Sequence, residues 1–382
     1  MDDALRHLVH DYALESYEEE LELLRTLARI PAPSHHEDRR AAFVAAWLRD
    51  HGANNVQVDG AKNVTCLLGD PDAPALLAFA AHTDVVFDDT DKLPLTEDDE
   101  RLFAPGVGDD TANLVGLLMA TKWLLAHPEA LPQGSGVLVV ANSCEEGLGN
   151  LDGTRAIFQA YGQRIREFTS FDLYLPQCIS TAVGSHRFRI TVRTQGGHSY
   201  HDFGRPNAIA ELCTLVDDLY HVTLPDETIT YNVGRIEGGT TVNSIAAETS
   251  VLYEYRSTSE QALAQMRTVL DGIVEAHRHD GVEIAVETIG IRPGSAPFED
   301  DGLQRLTERH LDVIRSITRR EPDQSPASTD ANIPLSLGIP ANTIGAVTGA
   351  LLHTRDEWIE KKSLVEGLEV ILACMLSPLC EC

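Results

Sequence analysis

Two unbroken apolar runs, Ala75-Leu76-Leu77-Ala78-Phe79-Ala80-Ala81 and Gly136-Val137-Leu138-Val139-Val140-Ala141, constrain this chain more than any other feature. Neither alternates with polar residues, so each reads as a buried strand. Between them Leu114, Leu117, Leu118, Leu124 and Leu125 recur at helical spacing, which predicts a helix from Thr111 to Ala126 closed by His127-Pro128. Strand, helix and strand in this order belong to a layered α/β domain, in which ligands gather at the carboxyl ends of the strands.

Both runs end in chemistry. The first stops at His82-Thr83-Asp84, which sets an imidazole and a carboxylate on one side of an extended segment. His82 is thus a candidate metal ligand and Asp84 a candidate for orienting a ligand from behind. The second leads into Ser143-Cys144-Glu145-Glu146-Gly147-Leu148-Gly149, where one carboxylate can hold a cation while its neighbour moves a proton. At the mouth of the intervening helix stands Gly106-Val107-Gly108-Asp109-Asp110. Each cluster alone has a plainer reading: His-x-Asp is common, two aspartates can cap a helix and complement its dipole, and paired glutamates often form a solvated helix face. All three together are harder to ascribe to accident.

The 382 residues, 43% of them hydrophobic, can bury an extensive core and favour two domains. No apolar stretch approaches the roughly 20 residues that span a bilayer. The start, Met1-Asp2-Asp3-Ala4-Leu5-Arg6, lacks the basic and apolar regions of a signal peptide, so a cytoplasmic protein is expected. A formal charge of −29 argues against nucleic acid or an anionic membrane as partner. Five lysines beside 25 arginines and 59 acidic residues fit either a high-salt habitat or an arginine-rich genome. The seven cysteines are scattered, and Cys380 and Cys382 are too close for an ordinary bridge, so reduced thiols are expected.

A first helix is expected over Ser16 to Arg29 and a second from Ser34, where Ser34 and Glu37 have capping-box spacing and Gly52 marks the end. After residue 183 the pattern changes. Arg187 to Arg193 alternates charged and apolar residues as a strand with one wet face should, Pro206 to Tyr220 is helical, Thr228 to Glu237 and Ser250 to Arg256 are strands, Glu260 to His277 is helical and Val282 to Ile289 is a strand. That succession fits a ferredoxin-like α+β insertion. The expected boundaries are 1–183 and 292–382 for a split first domain and 184–291 for the insertion, with helices over Gly302 to Arg320 and Ser363 to Leu376 in the returning segment.

The order His82-x-Asp84, Asp109-Asp110, Glu145-Glu146-Gly147 and a late His353 resembles the M20 family of co-catalytic zinc peptidases and amidohydrolases. The likeness covers nearly the whole chain and takes in Ile30-Pro31-Ala32-Pro33-Ser34, Gly196-Gly197-His198-Ser199, Ser328-Thr329-Asp330-Ala331-Asn332 and Leu352-His353-Thr354-Arg355-Asp356-Glu357. It implies a zinc-peptidase-like catalytic domain with the insertion as lid and dimerisation domain, hence a homodimer. It also implies two zinc ions per subunit, with cobalt or manganese as substitutes. By the same matching Asp109 bridges the ions and joins Asp110 through a cis peptide, His82 serves one ion, Glu146 and His353 serve the other, and Glu145 is the general base. His198 resembles the lid histidine that polarises the substrate carbonyl, commonly lent by the partner subunit. Asn243 and Arg256 resemble residues that hold a substrate carboxylate.

Two departures from the family stand out. Thr111 occupies a position where many relatives carry lysine. The family places a fifth acidic ligand at the end of the next core strand, yet in Phe171-Asp172-Leu173-Tyr174-Leu175-Pro176-Gln177-Cys178-Ile179 the aspartate is expected to start the strand, leaving Gln177 or Cys178 near the site. Two functions therefore stand: a metal-dependent hydrolase of a peptide or amide bond in a small peptide or N-acyl amino acid, and a catalytically impaired relative that binds an amino-acid-like ligand. The use that Glu145 has in catalysis alone favours the first.

Overall fold

The computed structural model describes residues 1–224 and 226–379. The chain divides into two compact units, Met1–Ala182 with Ala296–Cys382, and Val183–Ser295.

The larger unit is built on a seven-stranded mixed sheet in the order Val56–Val58, Val64–Gly69, Gly136–Asn142, Leu76–His82, Ile165–Phe171, Ala341–Ile344 and Cys178–Ile179. The strands from Gly136–Asn142 to Ala341–Ile344 run parallel, and antiparallel pairs finish both sides. Side chains on neighbouring positions of a strand point to opposite faces. Phe79, Ala81, Val137, Val139 and Ala141 accordingly join one apolar cluster, with the helices Asp3–Leu27, Asn113–Ala126 and Ser363–Leu376, while Leu76, Ala78, Ala80, Leu138 and Val140 join another, with Asp152–Tyr161 and Asn332–Ser336. Burial on both faces is why these strands carry no polar alternation.

The smaller unit is an antiparallel sheet in the order Thr230–Gly238, Glu248–Ser257, Gly184–Thr194, Val282–Arg292. The helices Ala208–Tyr220 and Glu260–Ala276 bury Leu212, Leu215, Leu263, Met266 and Leu270 against Phe188, Ile190, Val251 and Tyr253. The strand-helix-strand-strand-helix-strand succession read from the sequence is present, with a further short pairing of Gly197–His198 with Ser244–Ile245.

Two helix starts differ from expectation. The first helix begins at Asp3, capped by the Asp2 side chain on Leu5 N, because Val9 and Ala13 continue the buried stripe of Ser16 and Glu20 ahead of the residues expected. The second begins at Asp38. Ser34 does not cap it: its hydroxyl donates to Asp84 Oδ2 at 2.6 Å, and Glu37 accepts from His35 N at 2.8 Å. No helix among the described residues is long and apolar enough to cross a membrane. Cys66, Cys144, Cys178, Cys213 and Cys374 are free thiols, while Cys380 and Cys382 lie outside the described residues.

Candidate metal centre

Parallel register brings the carboxyl ends of three strands level. His82 pairs with Asn142 and Ala80 with Ser170, so His82, the turn carrying Glu145 and Glu146, and Asp172 emerge on one edge of the sheet. Asp172 corrects the sequence expectation. The strand is Ile165–Phe171, and the aspartate follows its last residue instead of preceding its first. Asp172 Oδ1 lies 3.9 Å from His82 Nε2. Cys178, the alternative, sits on an edge strand with its buried thiol pushed up to about 12, and it joins none of the candidate ligand groups.

Asp109 stands at the centre. Its Oδ1 is 2.9 Å from His82 Nε2 and its Oδ2 is 3.0 Å from His353 Nε2, which is also 3.3 Å from Glu146 Oε1. The Asp109–Asp110 peptide is cis. Three sets of donor atoms lie within 4.8 Å of one another: His82, Asp109 and Asp172; His82, Glu145 and Glu146; and Asp109, Glu146 and His353.

The acids crowd each other. Burial, reinforced by the Asp109 charge, pushes Asp172 up to about 8 and raises Glu146 from the ordinary glutamate value. Burial also opposes the charge of Asp109, but hydrogen bonds from His353 and His82 hold its pKa down. The bonds to Asp109 and Glu146 bring His353 up to about 10. For His82, burial disfavours the cation, yet the charge of Asp110 and the bond to Asp109 raise it well above the imidazole range. Asp172 Oδ1 is buried and accepts no hydrogen bond among the described residues, and Glu146 Oε1, also buried, has the 3.3 Å ion pair with His353. Buried carboxylates in this state fit divalent cations, whose charge offsets the same repulsion.

The surrounding residues hold this cluster in place. Asp84, expected to orient His82, does so through its carbonyl oxygen, 3.0 Å from Nδ1, while its carboxylate accepts from Glu145 N at 3.0 Å and Glu146 N at 2.9 Å. Asp110 Oδ2 accepts from His82 N at 2.7 Å. Thr111, the departure noted in the sequence, donates to Gly106 O. Several contributors escape sequence reasoning. Fully buried Arg40 donates to Ile30 O and Thr83 O, and burial lowers its guanidinium to about 10 although Asp84 and Asp110 favour its charge. Glu37 accepts from Cys144 N at 3.1 Å, next to Glu145. Glu357 accepts from Gly106, Gly108 and Asp109 N. Their partners are backbone groups, which leave no mark in a sequence pattern.

The other candidates belong to the smaller unit. His198 is exposed, and its Nδ1 faces the N–H groups of Tyr200 at 3.2 Å and His201 at 3.4 Å. Nδ1 therefore acts as acceptor, which places the proton of a neutral ring on Nε2. Asn243 is close by, since Ser199 N donates to Asn243 O at 3.1 Å. Arg256 is not gathered with them. It pairs with Ser185 at the far end of the strand Gly184–Thr194, whereas Thr194 N, at the other end, bonds Ala247 O. Nine residues at about 3.3 Å each separate those ends by roughly 30 Å. The Arg256 guanidinium forks onto Glu254, at 3.0 and 3.2 Å.

Comparison with known proteins agrees with this architecture. The profile described as peptidase family M20/M25/M40 matches residues 78–377. The uncharacterized protein YqjE of Bacillus subtilis (strain 168) is 23% identical over 92% of this chain and 96% of its own length. The acetylornithine deacetylase of Myxococcus xanthus is 25% identical over 92% of this chain and 90% of its own. The crystal structure of an M20 family metallo-carboxypeptidase from Sulfolobus solfataricus superimposes with a TM-score of 0.74 at 16% identity, covering 94% of this chain and 98% of that one.

Proposed function

Since the chain belongs to peptidase family M20/M25/M40 and is a hydrolase of that family, we propose that it cleaves the amide bond of a small peptide or N-acyl amino acid, with Glu145 as general base. The observation that carries this reading is the Asp109 carboxylate held between His82 and His353, with the buried carboxylates of Asp172, whose Oδ1 accepts no hydrogen bond among the described residues, and Glu146 beside it. His82 and Asp172 would hold one ion, Glu146 and His353 the other, and Asp109 both. Zinc, or cobalt or manganese in its place, would acidify the attacking water and polarise the scissile carbonyl.

The chain's own residues divide the remaining work. Glu145, its backbone fixed by Asp84, takes the proton from water and passes it to the leaving amine. His198 Nε2–H donates to the carbonyl oxygen as negative charge develops there. Asn243 and Arg256 hold the substrate carboxylate, Arg256 by exchanging Glu254 for the ligand. His198 and Arg256 stand too far apart in one chain to meet one small substrate, which supports a homodimer in which they come from different copies. On this reading the smaller unit is the lid and dimerisation domain. The alternative of a non-catalytic binder drew on the missing fifth acid, and Asp172 removes that motive.

The test is turnover of a panel of dipeptides and N-acyl amino acids by protein loaded with zinc, cobalt or manganese, together with metal content. Glu145→Gln is expected to cut turnover by about 10²–10⁴-fold with both ions kept. Loss of metal from this variant would mean that the two glutamates exchange roles, and a wild-type protein that hydrolyses nothing would overturn the proposal.

A further inference from the structure

We infer that Glu357 is a positioning residue that sets the ligand geometry of three chain segments at once. The inference rests on the two-ion reading of the centre and adds to it a residue outside the ligand set. Glu357 is fully buried, four residues after His353. Its Oε2 accepts from Gly106 N at 2.8 Å. Its Oε1 accepts from Gly108 N at 2.9 Å, Asp109 N at 2.8 Å and the Tyr174 hydroxyl at 3.0 Å. Gly106 and Gly108 lead into Asp109, and Tyr174 is two residues beyond Asp172. One carboxylate thus ties together the segments that carry Asp109, Asp172 and His353.

The chemistry suits this role. Three backbone N–H groups converging in a buried loop need an acceptor, and a carboxylate offers two acceptor oxygens where an amide offers one. Both of its oxygens are engaged by these donors, and Glu357 belongs to none of the candidate ligand groups, so it acts through Asp109 and does not contact an ion itself. The packing leaves no slack: a Cβ on Gly108 would lie 2.5 Å from Tyr174 Cε1 and 3.0 Å from Glu357 Oε1. Asn113 makes a parallel tie, donating to Gly108 O and Leu173 O at 3.1 Å each and accepting from Ala346 N at 3.0 Å. Because Asp109 serves both ions, a loose clamp should weaken both. The Tyr174 hydroxyl carries only the tie from Glu357 to the Asp172 segment, so its loss should weaken one.

The experiment is chelator competition for zinc on full-length wild type, Glu357→Gln and Tyr174→Phe, with thermal melts of the metal-free proteins and kcat at saturating zinc. In Glu357→Gln the amide nitrogen must face an N–H donor. Zinc affinity at both sites is expected to fall about 10–100-fold, while kcat recovers as zinc is raised. Tyr174→Phe is expected to weaken one site by a few-fold, roughly a single hydrogen bond's worth. Unchanged affinity in a folded Glu357→Gln overturns the inference, as does a lower melting temperature with unchanged affinity, which marks a merely structural residue. Should Glu357→Gln fail to fold, Tyr174→Phe decides: one weakened site supports the inference and none overturns it. A wild-type protein that takes up no divalent ion would instead defeat the reading of the centre.

Discussion

The two units use burial in opposite ways. The larger one buries His82, Asp84, Asp109, Asp110, Glu145, Glu146, Asp172, Asp330 and Glu357 around the strand ends, and Glu20 and His310 elsewhere. In the smaller unit Arg292 is the one charged residue buried among the described residues, and the core is Phe188, Ile190, Val192, Leu212, Val251 and their apolar neighbours. Taking charge out of water costs several kcal/mol per group unless partners offset it. The first unit therefore gives its site away physically, as a set of acids that need a cation. The second keeps a plain scaffold and carries His198 and Asn243 on exposed turns, where no energetic anomaly marks them. On the proposed reading, function in one unit is tied to the interior and in the other is separable from it.

The sharpest way to break that contrast is Asp172→Asn. An amide keeps the shape but gives up the charge, so one of two ions should be lost. Turnover should fall by more than the roughly 100-fold typical of residues behind a ligand. Metal analysis and kinetics check it. Two retained ions with full turnover would return Asp172 to the status of an ordinary buried acid.

His198→Ala is the counterpart in the smaller unit. If His198 donates to the developing oxyanion as proposed, its removal is expected to lower kcat by about 100-fold. Because the ring is exposed and bonded only to local backbone, metal content and melting temperature should not move. A loss of stability would show that the turn is more than a platform. If the histidine is lent between copies, mixing His198→Ala with Glu145→Gln protein under subunit exchange should restore part of the activity, and a strictly monomeric active enzyme would exclude that arrangement.

A third measurement separates burial with a cation from burial without one. Glu20 lies on the first helix, 1% exposed, with Oε2 unpartnered, and burial raises its pKa well above the carboxylate range. The unfolded chain releases this proton near the ordinary glutamate value while the folded chain keeps it. Stability from this residue is therefore whole at acid pH and falls as pH rises toward the folded pKa, by about 1.4 kcal/mol for each unit of displacement. Glu20→Gln should match wild type in denaturant melts near pH 4 and exceed it progressively above that. A difference that does not change with pH would place the charge of Glu20 elsewhere in the balance.

How much of the fold and the site is legible in the sequence follows the same division. The runs ending at His82 and before Glu145 are unmistakable because both faces of those strands are covered. The insertion is legible because its strands have one wet face. Asp172 reads wrongly because apolar Leu173, Tyr174 and Leu175 continue past it, and no glycine or proline interrupts the chain until Pro176. The available signal is Ile165 to Phe171 itself, a run with the length of Leu76–His82 that also ends at a potential ligand. Asp84 stands beside His82 as its spacing implies, but its carboxylate serves the Glu145–Glu146 backbone, a choice that only the turn geometry makes. Arg40, Glu37 and Glu357 act on backbone groups far away in sequence, and no residue pattern encodes that.

The smallest effect expected is also the cleanest control on the contrast between the units. Ile190 is fully buried in the smaller unit between Val251 and Val286, its cross-strand partners. Ile190→Val removes one methylene-sized group and should cost about 0.5–1.5 kcal/mol. The titratable groups of its core, Tyr253 and Tyr255, have hydroxyls that burial raises above the ordinary tyrosine value, so the cost should be the same from acid to mildly alkaline pH. Metal affinity and kcat should stay at wild-type values, since Ile190 is neither a candidate ligand nor part of the His198 turn. Denaturant melts at several pH values, read beside those of Glu20→Gln, make the comparison direct: one variant whose effect grows with pH and one whose effect does not. A pH-dependent loss in Ile190→Val, or a fall in kcat, would mean that the apolar scaffold is coupled to the site after all.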